Sequence, residues 1–491
     1  MNLHTVLTVA AATSLLAPAA FAQTGNTVHG AGAGASITTG SNLTLVGDSA
    51  GASTTLGQDQ VMIGQNAGAA FTSHYRNTCV GARAGALGTG LRNVFVGAEA
   101  GEANAASYNT FLGGESGRFT TQGGKNTFIG FWSGRNHVSG ESNVFIGAMA
   151  GRGVSAVTGG HNVAIGAYGN DDSFLLHDGV LMRTGAIAPG QSLTTGFANV
   201  LVGAGAGAEV SEGVGNTIVG HVAGNYTDKA DFNTFVGCQA GYDNNATVNE
   251  DRASRNTYFG FGAGNANRGG EDNTGVGSFA AIGHTDRSRG VFLGARSRIV
   301  GNDAIAIGYQ ARVDTANGTA IGAYTSAPSG NEVVIGNDST TSIGGSVNWT
   351  ALSDGRVKVD VARDVPGLDF VRALRPVTYV LDTERAYELR GAEVPDSLER
   401  AAPTRRYTGF IAQEVLAAAR ESGFGFSGVA LPAGHGGRYG LRYAEFVAPL
   451  VATVQELDVR VARQQVLIRR QAELLRRFRR VIANLGNDLS D

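Results

Sequence analysis

Ser353 stands five residues before Lys358 in the string Ser353-Asp354-Gly355-Arg356-Val357-Lys358. A serine hydroxyl and a lysine amine can act as nucleophile and base if the chain turns between them and the lysine is desolvated enough to lose its proton. Asp354-Gly355 offers such a turn. In a two-residue hairpin centred there, Ser353 lies opposite Arg356, and Lys358 reaches the hydroxyl diagonally from the same face. Lysine ordinarily keeps its proton up to about pH 10.4. The chemistry therefore requires burial or a neighbouring cation, and Arg356 is such a cation. The competing reading is a polar turn without chemistry, since the spacing alone is common.

The elements that must hold this pair follow it. They are Gly367-Leu368-Asp369-Phe370, Leu374-Arg375-Pro376-Val377-Thr378-Tyr379, Arg406-Tyr407-Thr408-Gly409-Phe410-Ile411-Ala412-Gln413-Glu414-Val415, Leu441-Arg442-Tyr443, and the run from Leu450 through Gln455-Glu456-Leu457. In this order, over about the last quarter of the chain, they resemble the self-cleaving intramolecular chaperone domain at the C-termini of phage tail fibres, endosialidases and some exported bacterial fibres. The resemblance implies Ser353 as nucleophile, Lys358 as general base, Leu352-Ser353 as the scissile bond, and release of a folded homotrimer. Many members carry an acidic or asparagine residue soon after the lysine. Here Val359-Asp360 follows, so no third catalytic residue is assigned.

Everything before Ser353 is a different kind of polymer. The chain has 74 glycines in 491 residues, about twice the usual share, and they are periodic. The phrase Asn93-Val94-Phe95-Val96-Gly97 returns as Asn109-Thr110-Phe111-Leu112-Gly113, Asn126-Thr127-Phe128-Ile129-Gly130 and Asn143-Val144-Phe145-Ile146-Gly147. Block glycines at 47, 64, 81, 97, 113, 130 and 147 are 16 or 17 apart, and Gly294, Gly308, Gly322 and Gly336 are 14 apart. A short period with one apolar phrase per unit cannot bury a core alone and must stack on its neighbours. The expectation is a parallel β-roll or β-solenoid over residues 23–345, mainly β. Each coil would hold two short strands and two turns, with corner glycines at positive φ. The repeated Asn would cap the turns and build a stack of amides. The 14-residue blocks are similar to the head repeats of trimeric autotransporter adhesins, in which three β-rolls pack side by side. An insertion at about 170–197, with Asp171-Asp172 and Phe174-Leu175-Leu176, breaks the rhythm and is the candidate contact patch. A smaller excess lies between Gly237 and Gly260.

Beyond a small α+β domain at 349–449 the period becomes helical. Leu450, Val454, Leu457, Val461, Gln464, Ile468, Gln471, Leu475, Phe478, Ile482 and Leu485 step by fours and threes, which predicts a coiled coil over 450–485. Its trimeric state follows from the resemblance. Polar Gln464 and Gln471 in the seam can set register and strand number.

At the other end, an apolar run from Val6 to Ala20 and the small-x-small Ala20-Phe21-Ala22 predict a cleaved export signal over residues 1–22. The run is shorter than the roughly 20 residues needed to cross a bilayer. The mature chain is therefore expected to be secreted or at the cell surface, with no transmembrane segment. Net charge is −3, which gives no electrostatic case for nucleic acid. Cys79 and Cys238 read as packed thiols, and no nucleotide loop, calcium-roll repeat or helical His pair points to a cofactor or metal. The expected partners are two further copies of the chain and a cell-surface or glycan ligand. Two other functions remain open. One is a structural surface protein with an inert Ser-Lys pair; the other is a glycan-acting, tail-spike-like enzyme, which needs paired carboxylates across a groove.

Overall fold

The computed structural model describes residues 25–168, 174–177, 180–183, 187–245, 252–281, 286–389, 405–432 and 437–488. The expected export signal lies outside them. The chain divides into two compact units, Met1–Ile335 and Gly336–Asp491.

The first unit is a parallel β-solenoid. From Asn77 on, the Asn-led phrases form three-residue strands paired in register with their equivalents in the next coil, as Thr110–Leu112 pairs with Thr127–Ile129 and that with Val144–Ile146. The middle residue points inward and the flanking two are half-buried. Inward Phe95, Phe111, Phe128 and Phe145 stack with ring centroids 5.2, 4.8 and 4.9 Å apart. The corner glycine ends each strand because nothing else fits: Gly130 sits at φ +129°, and a Cβ there would stand 2.5 Å from the Gly147 carbonyl of the next coil.

The Asn column is a ladder of main-chain and side-chain bonds. Asn109 Oδ1 accepts from the Asn126 backbone N–H at 2.9 Å, and Asn109 Nδ2 donates to the Gly123 carbonyl at 2.9 Å across the coil. The same pattern runs on to Asn273, whose Oδ1 accepts from Gly290 N–H at 2.9 Å. Asn109 and Asn126 thus each satisfy one backbone donor and one backbone acceptor that burial would otherwise leave bare. Amide-to-amide contacts add to this at some coils, as from Asn143 Nδ2 to Asn126 Oδ1 at 3.1 Å.

Three expectations change. The longer coils hold one strand, not two. Their second wall runs through turns with left-handed residues, such as Glu115 at φ +52° and Gly117 at φ +58°, which interrupt extended backbone. Coil-to-coil bonds persist there, for example Gly117 N–H to Ser133 O at 2.9 Å. Only the 14-residue coils, among the described residues, straighten that wall into strands, at Arg298–Ile299, Arg312–Val313 and Ser326–Ala327. The insertion is also shorter than 170–197. Residues 187–197 already belong to a coil, with Leu193 in the core and Ser192 N–H bonded to Ala208 O at 2.9 Å. What precedes them includes an antiparallel ribbon, Phe174–His177 with Val180–Arg183, while Asp171-Asp172 lies outside the described residues. The third change, in the turn at Ser353, is described with the site below. Of the 237–260 excess, residues 246–251 also fall outside the described residues.

The second unit is a small α+β domain with a long C-terminal helix. Helix α1 (Leu368–Ala373), α2 (Thr383–Leu389) and α3 (Ala412–Glu421) accompany a two-stranded antiparallel sheet, Val377–Val380 with Arg406–Gly409. Phe370, Val415, Ala418, Ala419, Val429 and Phe446 form its core. Helix α4 (Val447–Asp488) starts on this core: Glu456 Oε2 accepts from the Leu368 N–H at 3.2 Å, and Thr453 is buried. From there to Ile482 its seam positions stand in solvent, the apolar ones between 43% exposed at Leu457 and 66% at Ile482. No helix of the described residues is long and apolar enough to cross a membrane.

Candidate functional site

Residues 345–363 are exposed almost throughout, and Leu352 is 82% exposed. Within this peptide the turn after Ser353 is not the two-residue hairpin that Asp354-Gly355 predicts. It is a short 3-10 turn, Gly355–Val357, because the Asp354 carboxylate caps it by accepting from the Arg356 N–H at 2.9 Å. A side-chain cap on the following amides closes a tighter, helical turn. The outcome for the pair is nonetheless contact: Lys358 Nζ donates to Ser353 Oγ at 2.8 Å.

Arg356 has a different role from the one its position predicts. Its guanidinium forks onto the Asp354 carboxylate, with Nη2 to Oδ2 at 2.6 Å and Nε to Oδ2 at 3.0 Å. The pairing holds the Asp354 carboxyl below its ordinary range and raises the guanidinium. The Arg356 charge is thus compensated locally, which weakens it as the cation that would drive a proton from Lys358. Asp360 follows the lysine at φ +55° and is exposed. Among the described residues no third side chain hydrogen-bonds to Ser353 Oγ or Lys358 Nζ.

Downstream, the motif blocks converge. Strand pairing sets Tyr379 against Tyr407, and Arg375 Nη2 meets Glu414 Oε1 at 2.5 Å, joining the Leu374–Tyr379 block to the start of α3. Tyr443 Oη accepts from Phe410 N–H at 3.2 Å, and Phe410, Phe426 and Phe446 rings pack at 4.8 to 5.3 Å. The block around Gly367 meets the block around Glu456 through the Leu368 amide. Sequence reading missed two residues here, Arg405 and Arg438, which bond to the segment before Ser353. Arg438 sits beside a glycine pair and carries no motif that marks it.

Cys79 is fully buried in a strand centre, where burial pushes its thiol up to about 12, and Cys238 is half-buried; both are free. Among the described residues no group of three or more His, Cys, Asp or Glu is placed to hold a metal ion.

No curated protein matches the chain. Residues 353–424, beginning at Ser353 itself, match the family model described as the chaperone of endosialidase, so the segment from the Ser-Lys contact through α3 is similar to a domain of that kind.

Proposed function

We propose that this chain is an exported, homotrimeric fibre or adhesin-like protein whose C-terminal domain templates trimerisation and then cuts the chain between Leu352 and Ser353. The observation that carries the reading is the 2.8 Å contact between Lys358 Nζ and Ser353 Oγ at the first residue of the family match. In the reaction, a neutral Lys358 amine takes the Ser353 Oγ proton and Oγ attacks the Leu352 carbonyl carbon. The C–N bond breaks as the C–O bond forms, the proton passes to the departing Ser353 nitrogen, and the peptide becomes an ester. Water then opens the ester, leaving a Leu352 carboxylate and the Ser353 hydroxyl.

A single chain leaves Leu352, Ser353 and Lys358 exposed. The desolvation that favours a neutral amine must then come from partner chains, so cutting follows assembly. Two features support assembly with further copies. The α4 seam is exposed from Leu450 to Ile482. The outer face of the solenoid sheet also repeats an apolar third residue coil after coil, including Ile63, Leu112, Ile165, Phe259, Val276 and Leu293, all exposed. A continuous apolar row of this length is typical of an interface. Near-identical coils invite slips of one repeat, and parallel structure shared by three chains closes only non-local contacts. A C-terminal coiled coil raises the local concentration of the other strands and fixes register first. The solenoid repeats would then present a cell-surface or glycan ligand site.

The test is the size of the purified protein. Residues 353–491 should appear as a fragment of about 14 kDa out of 50.4 kDa, and only after the chain has trimerised. Ser353→Ala and Lys358→Ala should each stay full length and trimeric, because templating needs the fold and not the hydroxyl. A wild type that trimerises but stays full length, or Ser353→Ala cut at the same bond, identifies the pair as an inert turn in a structural surface protein.

A further inference from the structure

Two polar contacts join the stretch before Leu352-Ser353 to the domain that follows it. Arg438 Nη2 pairs with Asp338 Oδ1 at 2.9 Å, and Arg405 Nη1 donates to the Thr341 carbonyl at 3.3 Å. Both guanidiniums lie on the C-terminal side of the scissile bond, and both acceptors on the N-terminal side. The Asp338 side chain is only 10% exposed and that of Arg438 37%. Burial also draws the Arg438 guanidinium below its ordinary value. Asp338 is thus sheltered, while Arg438 keeps enough contact with solvent for dissolved salt to screen the pair. By contrast, the intervening residues 345–352 are exposed. The chain around the bond is a loop tied down at its base.

We infer that Arg438 and Arg405 form a latch that keeps the domain attached to the fibre stub after the bond is cut, so that hydrolysis and release are separate steps and release responds to ionic strength. The inference rests on the cleavage proposed above. Cutting one exposed peptide bond changes nothing in either contact; it only makes them intermolecular. A single pair of this kind holds weakly, but three latches on one trimer act together, and the first to reopen recloses at the high effective concentration set by the other two. Salt weakens it because the screening length falls from about 10 Å at 0.1 M to about 3 Å at 1 M.

The test separates the latch from self-cleavage. In full-length Ser353→Ala, a site for an added sequence-specific protease is placed at Gly344-Gly345, an open segment where a Cβ meets nothing nearby or only one carbonyl. After digestion, the fragment is captured through a tag on the solenoid at 50 mM and at 1 M NaCl. At 50 mM the C-terminal fragment should remain bound, and at 1 M at least tenfold less should be retained. Arg438→Ala, and on the other side of the cut Asp338→Asn, should each lower retention at 50 mM at least fivefold, while Arg385→Ala, whose side chain pairs only within α2, should not. Asp338→Asn lies outside the folded core of the domain, so it keeps the test valid if Arg438→Ala impairs folding. Fragments that part at 50 mM, or retention unchanged in Asp338→Asn, overturn the latch whatever the wild type does. A latch that holds in the protease-cut chain while the wild type never cuts itself would overturn the cleavage reading alone.

Discussion

The solenoid and the C-terminal unit handle buried surface in opposite ways. In the solenoid every coil finds its partners in the next coil of the same chain: strand on strand in register, Phe111 on Phe128, Asn109 on Asn126. In the C-terminal unit the small core closes around Phe370 and Phe446, and then a 42-residue helix carries its apolar seam into solvent. Repeats spaced 14 to 17 residues apart meet their neighbours at low entropic cost within one chain. The seam of the long helix finds no such neighbour among the described residues from Leu457 to Ile482. The difference assigns self-contained stability to one region and, under the function proposed above, assembly to the other.

The largest effect that would sharpen this division is expected at the seam. Val461→Asp places three carboxylates, one from each chain, in a single layer of the proposed trimer, at a cost of about 3 kcal/mol or more per buried unpaired carboxylate. Sedimentation of the full chain should shift from trimer to monomer. Because Val461 is exposed in a single chain, the helix and the small domain of the monomer should survive. An unchanged trimer would mean that the solenoid, and not the helix, holds the copies together.

Next comes a corner glycine. Gly130→Val combines a backbone conformation disfavoured for a β-branched residue with a Cβ 2.5 Å from the next coil's carbonyl. The expected loss is roughly 4 kcal/mol, local to the neighbouring coils. Gln122→Val, at an exposed position in the preceding coil, should melt like the parent. Equal melting of the two variants would break the picture of coils in van der Waals contact at their corners.

Acid should separate the regions a third time, through His137. This imidazole is fully buried, edge-on to the Phe128 and Phe145 rings, with Nε2 accepting from Asn143 Nδ2 at 2.9 Å. Burial lowers its pKa from 6.5 to about 4. The folded state therefore takes up its proton later than the unfolded chain. Stability is full above pH 6.5, declines as pH falls below it, and levels off near pH 4. The loss is roughly 3 kcal/mol at most. His137→Thr, the residue type at the equivalent Thr120, should flatten this part of the melting-temperature curve. A curve unaltered by that change would place the acid sensitivity elsewhere.

Much of this was legible in the sequence because repetition multiplies a weak signal. One Asn-Thr-Phe-Ile-Gly phrase proves nothing, but a dozen, most of them recurring 16 or 17 residues apart, leave a stacked solenoid as the physical solution, with the glycine at the corner and the amide in the column. The helical seam was legible for the same reason, and so was the order of the blocks behind Ser353. Single, non-repeating choices were not. A two-residue hairpin and a 3-10 turn both suit Ser353-Asp354-Gly355-Arg356, and the decision fell to the Asp354 carboxylate, which caps the Arg356 amide and takes up the guanidinium that was expected to act on Lys358. The count of strands per coil turned on left-handed residues such as Glu115, where a non-glycine residue adopts positive φ because coil-to-coil hydrogen bonds compensate the strain. Asp338 and Arg438, a hundred residues apart, became partners only through the fold. Sequence periodicity encodes contacts between equivalent residues, whereas a contact between unlike residues distant in the chain depends on where tertiary packing leaves each backbone, and no local pattern records that.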